Sequence, residues 1–195
     1  STPIELASSK MGCVSWTQKY FKDNNFTQEN FTNAIEGARQ VLSSCVRKYR
    51  NLGWQEAVGT SGTIRAISDI MLEINRSDGS ISRNDLIWLA EKLIETSHPN
   101  AIPWKCVSES RKEVLAGGVS ILLGVMQALR IQKIRPVNNA LREGVLIEMV
   151  GRMFGEDIRE QTIQAMVHRF SVNATQSKQV ERTAMHFFAS VKDEW

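Results

Sequence analysis

Gly53-Trp54-Gln55-Glu56-Ala57-Val58-Gly59-Thr60-Ser61-Gly62-Thr63 is the stretch on which the fold turns. Residues 54–58 read as a short strand, and the two glycines and three hydroxyls of residues 59–63 read as a turn. Ile64, Ile67, Ile70 or Met71, and Ile74 then recur at helical spacing. Strand, glycine-rich turn and helix in direct succession open an α/β unit. The turn also has a chemistry. Backbone N–H groups there can face a phosphate, the hydroxyls add donors, and the helix dipole favours negative charge. It is not a P-loop, because the Lys and the four-residue gap between glycines are absent. A tight βα connection with no ligand accounts for the same five residues equally well.

Upstream, residues 3–8 alternate and are expected as a short strand, and Gly12 reads as a turn before a helical segment at 16–21. Thr27 offers a hydroxyl cap to a long helix carrying Phe31, Ile35, Ala38, Val41 or Leu42, Cys45 and Tyr49, which Asn51-Leu52-Gly53 ends. Downstream, Ser82 and Asp85 form a capping box with Asp in place of Glu, flanked by Ile81 and Leu86 at staple positions. That helix is expected to run to about residue 97, where His98-Pro99 closes it; residues 102–104 read as loop. A helix over 108–130 contains Gly117-Gly118, each costing about 1 kcal/mol relative to Ala. Such a pair implies close packing or close approach of a ligand. Residues 131–137 are a strand with Pro136 at its end, and Asn138-Asn139 cap a helix over 140–154. Helices over 158–170 and from Asn173, with Gln176 completing a capping box, follow. The domain boundary is therefore expected near residue 155, with α/β before it and helices after it.

The chain has 195 residues, about one domain's worth, and 42% of them are hydrophobic, enough for a buried core. Twenty-four Lys and Arg against 21 Asp and Glu leave a net charge of +3, spread along the chain. Composition therefore makes no case for a nucleic-acid or membrane-surface protein. Cys13, Cys45 and Cys106 are an odd count at wide spacings, which suits a reducing cytoplasm rather than a disulfide framework or a zinc site. The most apolar segment, residues 114–129, carries three Gly, a Ser and a Gln, and falls short of a membrane span. The first residue is Ser1 rather than Met and patterned sequence follows at once, as expected of a processed or excised segment.

Arg142, Glu143 and Gly144 open the helix after the last strand, where a cation can reach a phosphate or stack on a base. Glu143 suits either a ribose contact or an ion pair with Arg142; a solvated first helical turn is the bland alternative. Arg111 with Gly117-Gly118 is open in the same way, since a helix–helix contact also explains the glycines. His98, His168 and His186 are scattered, and no acidic pair has catalytic spacing. No nucleophile elbow or Cys–His pairing is present, and the Trp and Met residues sit at core spacings. On residues alone this is an α/β phosphate-ligand domain with a helical extension.

Taken in order, the blocks Met11–Trp16, Gly53-Trp54 to Thr63, Arg111 to Leu122 (RKEVLAGGVSIL), Ala140 to Leu146 and Asp157-Ile158-Arg159 resemble the exopolyphosphatase / guanosine pentaphosphate phosphohydrolase (Ppx/GppA) family, across nearly the whole chain. The resemblance implies the actin–hexokinase–Hsp70 superfold, two ribonuclease H-like α/β domains around a cleft. This chain would be the second of them from its third strand onward, residues 1–155, an incomplete α/β domain. Residues 156–195 would begin a C-terminal helical domain.

By the same resemblance, Gly59, Thr60, Ser61, Gly62 and Thr63 match the cleft loop near phosphate or nucleoside. Arg142, Glu143 and Gly144 match the block that binds the anionic substrate. The family's Asp-Gly phosphate loops and catalytic Glu would lie upstream of residue 1, so no catalytic or metal-binding residue is assigned here. The implied whole protein is a cytoplasmic, Mg²⁺-dependent homodimer that hydrolyses a terminal phosphoanhydride of guanosine pentaphosphate (pppGpp to ppGpp), of inorganic polyphosphate, or of both. The fragment alone is expected to be inactive. The Trp16 block and the DNNFTQENF stretch lean toward the guanosine pentaphosphate branch. A non-catalytic nucleotide-sensing or oligomerisation module of the same superfold is the alternative.

Overall fold

The structure, a computed structural model, describes residues 3–137, 141–153, 163, 166, 167 and 169–192, without the side chains of residues 141, 142, 148, 151–153 and 174. It divides into two compact units, residues 1–140 and 141–195. The boundary expected near residue 155 falls outside the described residues.

The first unit runs α1 (Cys13–Tyr20), α2 (Gln28–Leu52), β1 (Val58–Gly59), α3 (Gly62–Glu73), β2 (Ile81–Ser82), α4 (Arg83–Thr96), a 3-10 turn (Pro99–Ala101), α5 (Glu109–Leu129) and β3 (Lys133–Pro136). Its axis is α5, against which α1, α2, α3 and α4 all pack. Eleven of its 21 residues are buried. Length and composition alone would let α5 cross a membrane, yet its burial marks it as the core helix. The crossings are close because of its glycines. A Cβ on Gly117 would lie 2.8 Å from Cys13 O and 2.9 Å from Thr17 N of α1, and one on Gly124 would lie 2.9 Å from Ile35 O of α2. Helix–helix contact therefore accounts for Gly117.

The other expected signals explain the flanks. Thr27 Oγ1 accepts from Asn30 N–H at 3.1 Å, and Gly53 ends α2 at φ +69, a left-handed value that suits glycine. Ser82 and Asp85 form both bonds of the capping box, and Ile81 and Leu86 are fully buried. Phe21, Phe26 and Phe31 stack edge-on with centroids 5.0–6.5 Å apart, and Trp16 Nε1–H donates to Ala34 O at 3.1 Å.

The sheet is small, in the order β1-β3-β2, with β1 parallel to β3 (Val58 opposite Arg135) and β2 antiparallel to it. Two expected strands need correction. Residues 3–8 form none: Ile4 and Leu6 are 87% and 77% exposed, with no neighbouring strand to hydrogen-bond them among the described residues. The strand expected at 54–58 shrinks to Val58–Gly59, because only β3 lies beside it. Two helices also start earlier than periodicity suggests, at Cys13 and at Gly62, since their first residues precede the first repeat of apolar spacing.

The second unit contains α6 (Leu141–Met153) and α7 (Ala174–Val191). Asn173 Oδ1 accepts from the N–H groups of Thr175 and Gln176, so the expected cap is present. The helix expected at 158–170 and the Asn138-Asn139 cap lie largely outside the described residues.

Candidate functional site

The loop between β1 and α3 divides four of its five residues into two groups. Gly59 and Thr63 face inward: Gly59 is buried, where a Cβ would lie 3.0 Å from Ile134 Cγ2, and its carbonyl accepts from Val137 N–H. A Cβ on Gly118 of α5 would overlap the Thr63 side chain, so Gly118 is the price of seating α3 against the core helix. Thr60 and Ser61 are exposed. Ser61 Oγ accepts from Ile64 N–H at 3.1 Å and Ser61 O from Arg65 N–H at 3.0 Å. That leaves the N–H groups of Gly62 and Thr63 as the ones helix geometry cannot pair internally. The loop thus offers a hydroxyl, unpaired amide donors and the positive end of a twelve-residue helix dipole.

One cation joins them. A Cβ on Gly62 would overlap Cζ and both Nη atoms of Arg111, so the guanidinium lies directly on the Gly62 backbone. Arg111 sits in the first turn of α5, is exposed, and has no ion pair or side-chain hydrogen bond among the described residues. A positive side chain at a helix N-terminus is unfavourable by about 0.3–1 kcal/mol; the acidic residue of the same first turn, Glu109, is bonded to Lys112. Arg111 was legible in RKEVLAGG, but only the fold shows that its target is Gly62.

Arg142, Glu143 and Gly144 lie in the first turns of α6, in the other unit. The Arg142 side chain is outside the description; Glu143 is half-buried, and Gly144 is exposed with open space around it.

Elsewhere in the first unit a groove of about 830 Å³ is lined by Trp54, Glu56, Arg65, Asp69, Lys133 and Arg135, among others. Four of its charged side chains pair: Arg135 with Glu56, with Nη2 to Oε2 at 2.9 Å, and Lys133 with Asp78, at 4.0 Å. The Glu56 carboxyl is held below its ordinary range by hydrogen bonding to Arg135. Cys106 is held in its thiol form. Desolvation, then its hydrogen bond to Glu73 and the charges of Glu73 and Asp69, push its thiol up to about 12.

Mg²⁺ wants carboxylate and phosphate oxygens. The loop 59–65 carries no carboxylate, and no cluster of three or more His, Cys, Asp or Glu exists among the described residues. These residues do not fit a metal cage.

Residues 1–153 match the model of the Ppx/GppA phosphatase family. The chain belongs to that family. Among curated Ppx/GppA relatives it is 34% identical over 190 residues to the guanosine-5'-triphosphate,3'-diphosphate pyrophosphatase of Photobacterium profundum, covering 97% of this chain and 38% of that one. It is 35% identical over 184 residues to the Vibrio cholerae protein of the same name, covering 94% and 37%. The chain thus spans a little over a third of the curated relatives it matches. The Ppx/GppA family member of Aquifex aeolicus superposes with a TM-score of 0.63 at 21% identity, over 76% of this chain and 49% of that one. An exopolyphosphatase-like protein superposes at 0.64 and 16% identity, over 75% and 51%. At such identities the likeness shows the fold: an incomplete ribonuclease H-like α/β domain of the actin-like type, followed by helices.

Proposed function

We propose that these residues are part of a Ppx/GppA phosphatase that hydrolyses terminal phosphoanhydrides, with guanosine pentaphosphate as main substrate and inorganic polyphosphate as the other. The relatives' name supports the first substrate and the family supports the hydrolysis. The observation that carries the reading in this chain is the β1–α3 loop, whose unpaired amides and hydroxyl at a helix N-terminus suit a phosphate chain. Residues 1–155 act as the second ribonuclease H-like domain from its third strand onward, and 156–195 begin the helical domain.

In this reading Gly59 and Thr63 set the loop against the core, while Thr60, Ser61 and Gly62 present donors to phosphate oxygens. Arg142, always charged and bidentate, binds the anionic substrate, with Glu143 and Gly144 shaping that turn. The group that activates water is expected from the part of the whole protein that this chain does not cover, and no Mg²⁺ cage exists among the described residues. The whole protein works as a cytoplasmic homodimer.

The test is phosphate release from both substrates by the full-length protein with Mg²⁺. Turnover is expected there, with none from the 195 residues alone. Arg142→Ala in the full-length protein is expected to weaken substrate binding by roughly 1.5–3 kcal/mol, the range for hydrogen bonds to charged groups, at an unchanged melting temperature. Failure of the full-length protein to turn over either substrate refutes the reading and favours a non-catalytic module. Normal binding by the variant removes Arg142 from the site.

A further inference from the structure

We infer that Gly118 of α5 is a positioning residue for the β1–α3 loop, acting through Thr63 to fix where the Gly62 and Thr63 amides point; this rests on the function proposed above. The loop is gripped at both ends. At its start, Gly59 is buried against Ile64 and Ile134, with no room for a side chain. At its end, a Cβ on Gly118 would lie 2.2 Å from Thr63 Cγ2, 3.1 Å from its Oγ1 and 3.3 Å from its Cβ. Thr63 thus seats its methyl in a notch that exists because residue 118 has no side chain. The other glycines of α5 face elsewhere: Gly117 meets Cys13 and Thr17 of α1, and Gly124 meets Ile35 and Ala38 of α2. Gly118 is the one that meets the loop.

A methyl at residue 118 would need about 1 Å more room before the carbons reach their ordinary separation of about 3.5–4.0 Å. Rotation of the Thr63 side chain does not supply all of it, because Cβ itself stays at 3.3 Å. The backbone of Thr63, the second residue of α3, must therefore retreat, and its N–H and that of Gly62 move with it. Hydrogen bonds hold only over about 2.7–3.2 Å between heavy atoms, so such a retreat misaims both donors. Helix propensity pulls the other way, since Ala suits a helix interior better than Gly. The glycine at 118 is explained by its fit to Thr63 and not by α5 itself.

The experiment uses the full-length protein, with steady-state kinetics on guanosine pentaphosphate and polyphosphate, equilibrium binding of inorganic tripolyphosphate, and melting temperature. Gly118→Ala is expected to raise KM and the tripolyphosphate Kd about 10–100-fold, the scale of a misplacement of about 1 Å. Gly124→Ala is the packing control: its Cβ would lie 2.6 Å from Ala38 Cβ, so it lowers the melting temperature at unchanged Kd. Thr63→Ser empties the notch without any overlap and is expected to raise Kd by a smaller factor. Adding Gly118→Ala to it moves one methyl across the contact at constant volume, the best tolerated kind of exchange, and should bring the Kd back down. That pair of readings stands even if Gly118→Ala alone does not fold. An unchanged Kd in Gly118→Ala, an equal rise in Gly124→Ala where both are folded, or no recovery in the double variant overturns the inference while the proposed hydrolysis stands. Tripolyphosphate binding that follows this pattern, in a protein that hydrolyses neither substrate, supports the inference and overturns the proposed reaction. No tripolyphosphate binding by the unaltered protein overturns the inference.

Discussion

Helices α5 and α7 are of similar length and both carry strong apolar patterns, yet their fates differ. In α5, Leu115, Ala116, Val119, Leu122, Leu123 and Met126 are buried among α1, α2, α3 and α4. In α7, every described side chain is exposed, although Val180, Ala184, Phe187 and Val191 follow a four-three-four spacing that makes one apolar stripe, with Phe188 beside it. Amphipathic spacing therefore specifies a face without specifying its partner. Most helical stability comes from packing that face, so α5 and its neighbours should hold the stability of this chain, and α7 should contribute little.

The sharpest way to break this comparison is truncation inside the first unit. Phe31 is 1% exposed and lies edge-on to Phe21, 5.0 Å between centroids, and to Phe26. Phe31→Ala is expected to cost roughly 3–5 kcal/mol by lost transfer energy and a residual cavity. Denaturant unfolding of the 195-residue chain measures it. A cost below about 1 kcal/mol, within the range of surface changes, would mean the aromatic cluster is not the core it resembles.

Asp85 gives the next effect and adds a pH signature. Burial acts to raise its pKa, but hydrogen bonds from the Ser82 hydroxyl and N–H and from Arg76 outweigh it and hold the carboxyl below its ordinary value of 3.8. A carboxyl with a depressed folded pKa stabilises above its unfolded value and loses that contribution as pH falls through the folded one. Melting temperature should therefore fall more steeply below about pH 4 in the unaltered chain than in Asp85→Asn. Asp85→Ala is expected to cost roughly 2–4 kcal/mol at neutral pH, through the bonds from the Ser82 N–H, the Ser82 hydroxyl and Arg76. Identical pH profiles for the unaltered chain and Asp85→Asn would refute the assignment. Thr27→Ala, removing the cap of α2, follows at about 1 kcal/mol, readable as a shift of the same denaturant midpoint.

What was legible in the sequence sorts by the range of the interaction. Caps were: Thr27, Ser82 with Asp85, Asn173 and the stop at Gly53 are satisfied within a few residues of chain. Strands were so only in part, because a strand depends on its neighbour: the one expected at 131–137 is β3, with Pro136 at its end. Residues 3–8 alternate but have no strand beside them, and β1 is cut to two residues for the same reason. The loop 59–63 was legible as an anion-type turn. Its division into inward Gly59 and Thr63 and outward Thr60 and Ser61 was not, since Gly118 and Ile134 impose it from 55 or more residues away. A separation of 49 residues likewise hid the contact between Arg111 and Gly62.

The smallest expected effect tests the other half of the comparison. Phe187 and Phe188 are 65% and 62% exposed, so truncation removes little packing and relieves some contact of apolar surface with water. In the 195-residue chain, Phe187→Ala with Phe188→Ala is expected to shift stability by no more than about 0.5 kcal/mol. Binding of a hydrophobic dye should fall, because the stripe is the dye's natural site. Both readings come from one sample, the first by denaturant unfolding and the second by fluorescence. A loss above about 2 kcal/mol, of the size seen for buried side chains, would mean that α7 is packed in solution and that the contrast with α5 does not hold. A small loss with undiminished dye binding would keep the contrast and move the accessible apolar surface to α6, where Leu146 and Ile147 are 56% and 65% exposed.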